Sequence, residues 1–164
     1  MNDPGAFEEV FDINDDIKEA IQSEQTKAFE LLNIDSSTEP KEIVEKIKEY
    51  VHSLYANGSI SDYNEQTRKD LAITLGSAWG NAACKIYGWK WMGLRAEDEE
   101  YAAYYIVSPN HKFCCPPFSF ILNILEGDNI GLDGRNDNTI MLLFNMLDGV
   151  ETRQNAPHNY SVLM

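Results

Sequence analysis

The chain predicts an α+β fold: N-terminal helices, a three-stranded antiparallel meander, then two C-terminal helices. Three observations lead there. Up to Tyr87 the apolar residues recur at helical spacing. From Trp89 to Cys115 they give way to aromatic and β-branched runs broken by short polar turns. From Pro117 the helical spacing returns.

The first dozen residues carry Asp3, Glu8, Glu9 and Asp12 around Phe7, Val10 and Phe11, and read as a short docked helix or a frayed end. A first long helix starts near Asn14 or Asp15 and places Ile17, Ile21, Ala28 and Leu32 on one side. Its early acids suit the positive end of the helix dipole. Asp35-Ser36-Ser37-Thr38 supplies turn and capping groups, with Pro40 in the first turn of a second helix. Ile43, Ile47, Val51 and Leu54 form its apolar face, and Asn57-Gly58 stops it. Ser61 or Asp62 is expected to cap a third helix ending at Gly88, with Leu71, Leu75, Ala78, Ala82 and Ile86 along its face. Glycine is unfavourable in a helix by about 1 kcal/mol, so Gly76 and Gly80 predict very close packing, here against the sheet.

The meander is expected over Trp89–Arg95, Tyr101–Val107 and Lys112–Cys115, with turns at Ala96–Glu100 and Ser108–His111. Pro116-Pro117 then opens a helix bearing Phe118, Ile121, Leu122 and Leu125. A polar loop from Gly127 to Asn138 leads to a last helix with Ile140, Met141, Leu143, Phe144 and Leu147, capped by Asn138 and closed by Gly149. The expected organisation is one domain over residues 1–150 and a polar tail over 151–164, with Val162-Leu163 its one contact.

Charge and composition narrow the function. The 164 residues hold 27 acids against 13 bases, a net −14, and 43% are apolar. A core is affordable, while a polyanion such as DNA finds no attraction. No run of about 18 apolar residues exists to span a bilayer, and Met1-Asn2-Asp3-Pro4-Gly5 lacks the features of a signal peptide. The three cysteines, Cys84, Cys114 and Cys115, are too few and odd in number for a disulfide scaffold. Reduced thiols in a cytoplasmic protein are expected.

Metal chemistry finds little purchase. Asp12-Ile13-Asn14-Asp15-Asp16 begins like a calcium loop but has Ile17 and Ser23 where the glycine and the bidentate glutamate belong. Asp128, Asp133 and Asp137 lack ligand-like alternation, and no Cys-x-x-Cys pair accompanies His52, His111 and His158. His111 precedes Cys114 by three residues, a spacing that puts the two on opposite sides of a strand. No nucleophile elbow, phosphate loop or dinucleotide fingerprint appears. No catalytic residue, metal or cofactor is expected.

The aromatic strands are more informative. Trp89, Trp91, Tyr101, Tyr104 and Tyr105 crowd two neighbouring strands, and Tyr101 to Val107 contains no charge on either face. Two readings stay open. Both faces are buried, or an aromatic surface rimmed by Glu97-Asp98-Glu99-Glu100 meets a partner. The interface reading nominates Trp89, Trp91, Glu97, Asp98, Glu99, Glu100, Tyr101 and Tyr105.

Leu75-Gly76-Ser77-Ala78-Trp79-Gly80, Gly88-Trp89-Lys90-Trp91, Val107-Ser108-Pro109, Pro116-Pro117-Phe118 and Glu126-Gly127 together resemble small uncharacterised bacterial domains. These have a Leu-Gly…Gly helix, a Trp-containing strand, a hairpin and a Pro-started helix. The likeness spans about residues 70–150. Some acidic bacterial proteins of this organisation look like immunity proteins, which neutralise a toxin. That resemblance implies binding of a basic cognate toxin or effector and brings no catalytic residues. Two alternatives stand beside it. One is a small enzyme or ligand-binding domain using Cys114 or Cys115 with His111, or a pocket lined by Trp89 and Trp91. The other is a homodimer using the aromatic face on itself.

Overall fold

The computed structural model describes residues 4–5, 7–127, 139–148 and 160–163. The fold is α+β. Its first helix, α1 (Asp15–Leu32), begins where expected: the Asn14 side chain accepts the Ile17 N–H at 2.9 Å. It stops at Asn33, whose backbone is left-handed at φ 54°. Pro40 opens α2 (Pro40–Ala56), which buries Ile43, Val44, Ile47, Val51 and Leu54.

The third helix starts later than the spacing suggested. Ser59–Asp62 is spent in a turn of 3-10 helix, and Asn64 instead caps α3 (Glu65–Tyr87) by accepting the Thr67 N–H at 2.8 Å. Gly88 ends it at φ 74°. α3 is the hub of the helices and packs on α1, α2 and α4 (Pro117–Leu125). The close packing expected against the sheet occurs at Gly80, which Trp91 of the sheet reaches, whereas Gly76 packs on Pro117 and Phe118 of α4. Ile86, placed on its apolar face by spacing, is exposed. Trp79 is fully buried and donates its indole N–H to the Ile140 carbonyl at 3.1 Å, which fastens α5 (Thr139–Met146).

The sheet departs most from expectation. The meander is present as β3 (Lys90–Ala96), β4 (Ala103–Val107) and β5 (Phe113–Cys115), but it is the middle of something larger. Phe7–Asp12, expected as a helix or frayed end, is a strand, β2, antiparallel to β3. Pro4–Gly5 is β1, and Tyr160–Val162, within the expected loose tail, is β6. The order is β1-β6-β5-β4-β3-β2. The strands are antiparallel except for β5 and β6, which are parallel. The chain therefore opens with strands rather than helices. The Gly127–Asn138 loop beyond Gly127, the Asn138 cap, the Gly149 stop and the tail before Tyr160 lie outside the described residues.

β1 and β2 stand at opposite ends of the strand order, yet a single residue separates them. Gly5 and Phe7 can be no more than about 7 Å apart, against about 4.8 Å between neighbouring strands. The sheet must therefore curl until its ends meet. Directions agree: following the pairings round from β1 returns β2 parallel to β1, as one bent strand requires. The result is a small, nearly closed barrel.

Closure explains the burial. Met92, Leu94, Val107 and Cys114 form a separate buried cluster with Phe7, Tyr105 and Val162, which is the barrel interior. The alternate residues, Trp91, Ile106, Phe113 and Cys115, face outward into the helical core. Both sides of β4 are thus apolar, which accounts for its uncharged sequence.

Candidate binding surface at the hairpin end of the barrel

β3 and β4 are joined by a hairpin whose turn is closed by the Glu99 N–H on the Ala96 carbonyl at 3.1 Å. Glu97, Asp98, Glu99 and Glu100 are all exposed there, and Tyr101 beside them is 77% exposed. Arg95 organises this end. Its guanidinium donates to Glu8 at 2.8 Å, to Glu9 at 3.2 Å and to the Glu99 carbonyl at 2.9 Å. The Glu9 hydrogen bond, opposed by desolvation and aided by Glu8, holds Arg95 above its ordinary range. At the other end of β2 the Lys90 ammonium sits 2.6 Å from Asp12 and lowers its carboxyl. Arg95 thus sits at the end of the hairpin that carries the four turn acids, and Lys90 at the opposite end.

The nominated residues divide. Glu97, Asp98, Glu99, Glu100 and Tyr101 share the exposed tip. Trp89 and Trp91 are buried and take no part in it. Trp91 stacks on Phe118, with ring centroids 5.4 Å apart, and donates its indole N–H to Asn81 at 2.8 Å. Tyr105 faces the barrel interior, edge-on to Phe7 at 5.6 Å, and burial raises its phenol. Val10 and Phe11, not among the nominated residues, are 39% and 40% exposed on β2, opposite Leu94 and Gly93. Their only signal was apolar side chains amid acids without alternation.

Asp12 belongs to a strand and Asn14 caps a helix, so the calcium-like run forms no loop. Among the described residues no three His, Cys, Asp or Glu side chains gather to hold a metal. The cysteines are free thiols. Burial pushes Cys84 and Cys114 up to about 12, and Cys115 well above its ordinary value. A nucleophilic thiol needs the opposite shift. The edges of Trp89 and Trp91 do line a groove of about 330 Å³, together with Asp12, Ile13, Lys18, Cys84 and Lys90. A second, more apolar groove of similar volume lies between Ile17, Ile21, Ile73, Tyr104 and Phe118. No helix among the described residues is long and apolar enough to cross a membrane. No family model, curated protein or solved structure matches the chain.

Proposed function

We propose that this is an acidic binding protein of the immunity type, neutralising a basic toxin or effector by covering it rather than by chemistry. The observation that carries the reading is Tyr101, 77% exposed directly after the run Glu97–Glu100. Tyrosine is a rigid amphipathic anchor of the kind enriched at interface centres. A cluster of like charge around it speeds encounter with an oppositely charged partner. The net charge of −14 acts in the same sense at longer range.

Co-expression with the product of a neighbouring gene tests this. Growth should be restored by the wild-type chain and not by Tyr101→Ser combined with neutral amides at Glu97, Asp98, Glu99 and Glu100. Complex formation should weaken as salt rises. A neighbour that is not toxic, with no stable basic partner recovered, overturns the reading. A small-molecule site is the second reading, favoured by the groove beside Trp89 and Trp91. Quenching or shift of their fluorescence on ligand addition would distinguish it.

A further inference from the structure

The more apolar groove, of about 330 Å³, lies where α1, α3, β4 and α4 meet. Ile17, Ala20, Ile21 and Glu24 stand at i, i+3, i+4 and i+7, so one face of α1 forms a wall. Tyr104 of β4 and Phe118 of α4 add two rings, and Ile73 and Ser77, one turn apart on α3, complete the lining. That lining is almost wholly apolar. Ser77 is the exception. It is 1% exposed, and its hydroxyl has no hydrogen-bond partner among the described residues. A serine within a helix often turns its hydroxyl to the carbonyl four residues back, which this one does not do. Buried polar groups are nearly always paired, so an orphan on the wall of a groove calls for a partner inside it.

We propose that this groove binds a small neutral molecule, a planar apolar body carrying one hydroxyl or N–H group for Ser77. Size sets the first limit. At about 30 Å³ for each water-sized group, the space takes about ten non-hydrogen atoms. A protein partner would need about 1,000 Å² or more of contact, of which so small a groove is a minor part. Charge sets the second. Glu24 already accepts from Lys27 at 2.9 Å and from Thr74 at 2.7 Å, so it needs no cation from a ligand. An anion would meet that carboxylate and find no lysine or arginine among the described lining residues. The rings of Tyr104 and Phe118 favour a flat, aromatic body. The two long stretches outside the described residues join the rest at Gly127, Thr139, Asp148 and Tyr160, none of which lines the groove. α5 docks on Trp79, about 200° round α3 from Ser77. The site is separate from the acidic tip, and either reading can fail alone.

Titration of the full chain with 2-naphthol, followed by calorimetry and amide NMR, is the test. One molecule should bind per chain and shift the amides of Ile73 and Ser77, leaving the Trp89 indole N–H in place. Ser77→Ala removes a polar atom and favours the helix, so it keeps the fold. It should weaken 2-naphthol about two- to tenfold. Naphthalene, the same rings without the hydroxyl, should change by less than about twofold in that variant. Ala20→Trp, at an exposed position beside the groove, should abolish both. The anion 2-naphthoate should bind more weakly than 2-naphthol. No binding of 2-naphthol at millimolar concentration overturns the proposal. So does 2-naphthol binding that ignores Ser77→Ala, since a water would then suffice for the hydroxyl. Binding that survives Ala20→Trp, or that moves the Trp89 indole instead, places the ligand in the other groove and also overturns it. Equal affinity for 2-naphthoate overturns the neutral ligand class.

Discussion

The ring of Trp91 lies against the Cα of Gly80 with no room for a methyl group between them. A Cβ at Gly80 would also meet Pro117 Cγ at 3.2 Å, and one at Gly76 would meet the Phe118 ring at 2.9 Å. The two glycines thus seat the barrel and α4 on α3. Trp91 cannot swing away, because Phe118 stacks on it and Asn81 holds its N–H. Gly80→Ala should therefore lose stability, by about 1–3 kcal/mol from overpacking, although alanine is the better helix former by about 1 kcal/mol. Urea denaturation checks the sign. A stabilised Gly80→Ala would mean that the indole has somewhere to go.

Asn81 is a relay between three elements. Its amide donates to Gln25 on α1 at 2.8 Å while its carbonyl accepts from Trp91 on β3 at 2.8 Å. Asn81→Leu keeps the bulk but strands the indole N–H, at a cost of about 1–3 kcal/mol. A double-mutant cycle with Trp91→Phe should return a coupling of about 0.5–3 kcal/mol. Additive losses would show that the two side chains do not interact.

Ser108 is the knot of the β4–β5 turn. Its buried hydroxyl donates to Asn110 Oδ1 at 2.8 Å and accepts the N–H groups of Lys112 at 3.2 Å and Phe113 at 3.0 Å. Ser108→Ala leaves the buried Phe113 N–H without that acceptor, a loss of about 1–3 kcal/mol. Ser108→Thr keeps the hydroxyl and should recover part of it. Thermal melts of the pair give the comparison.

The thiols predict an alkaline weakness. Burial raises Cys114 to about 12, whereas an unfolded cysteine ionises near 8.5. Between those values the unfolded chain gives up the proton and the folded chain keeps it. The stability this thiol contributes is whole below about 8.5 and falls by about 1.4 kcal/mol per pH unit above it, until the folded thiol itself titrates. Melting temperature measured from pH 7 to 10 should drop, and drop less steeply in Cys114→Ala. Below pH 8 the native protein should react slowly with a disulfide reagent and rapidly once unfolded. Fast native reaction at Cys114 would contradict its burial.

Helices were legible wherever a cap and an apolar period coincided, as at Asn14 with Ile17, Ile21 and Ala28. The third helix start was misplaced because Ser61, Asp62 and Asn64 are all good caps, and only the 3-10 turn around buried Ile60 selects Asn64. β2 escaped notice for a local reason. Its register shifts between Phe7 and Glu9, which breaks the alternation that marks a strand. β6 escaped for a non-local one: three residues gain strand geometry only from partners far away in sequence. The uncharged run at Tyr104 to Val107 was visible, and its cause, a barrel interior behind a helical core, was not. The acidic tip was read directly, since four consecutive acids can only face water. Trp89 and Trp91 were separable from it only once Gly80 and Phe118 were seen to receive the second indole.

The meeting of β1 with β6 sets a schedule for folding. Gly5 pairs with Tyr160, so nearly the whole described chain must be made before that contact exists. The helices α1 to α3 and the β3–β4 hairpin are local and can form early, but the barrel has no final stave until the end. Long-range pairing of this kind slows folding. In the interval Met92, Leu94 and Val107 stand uncovered, which is a window for aggregation that a chaperone or a bound partner would shorten.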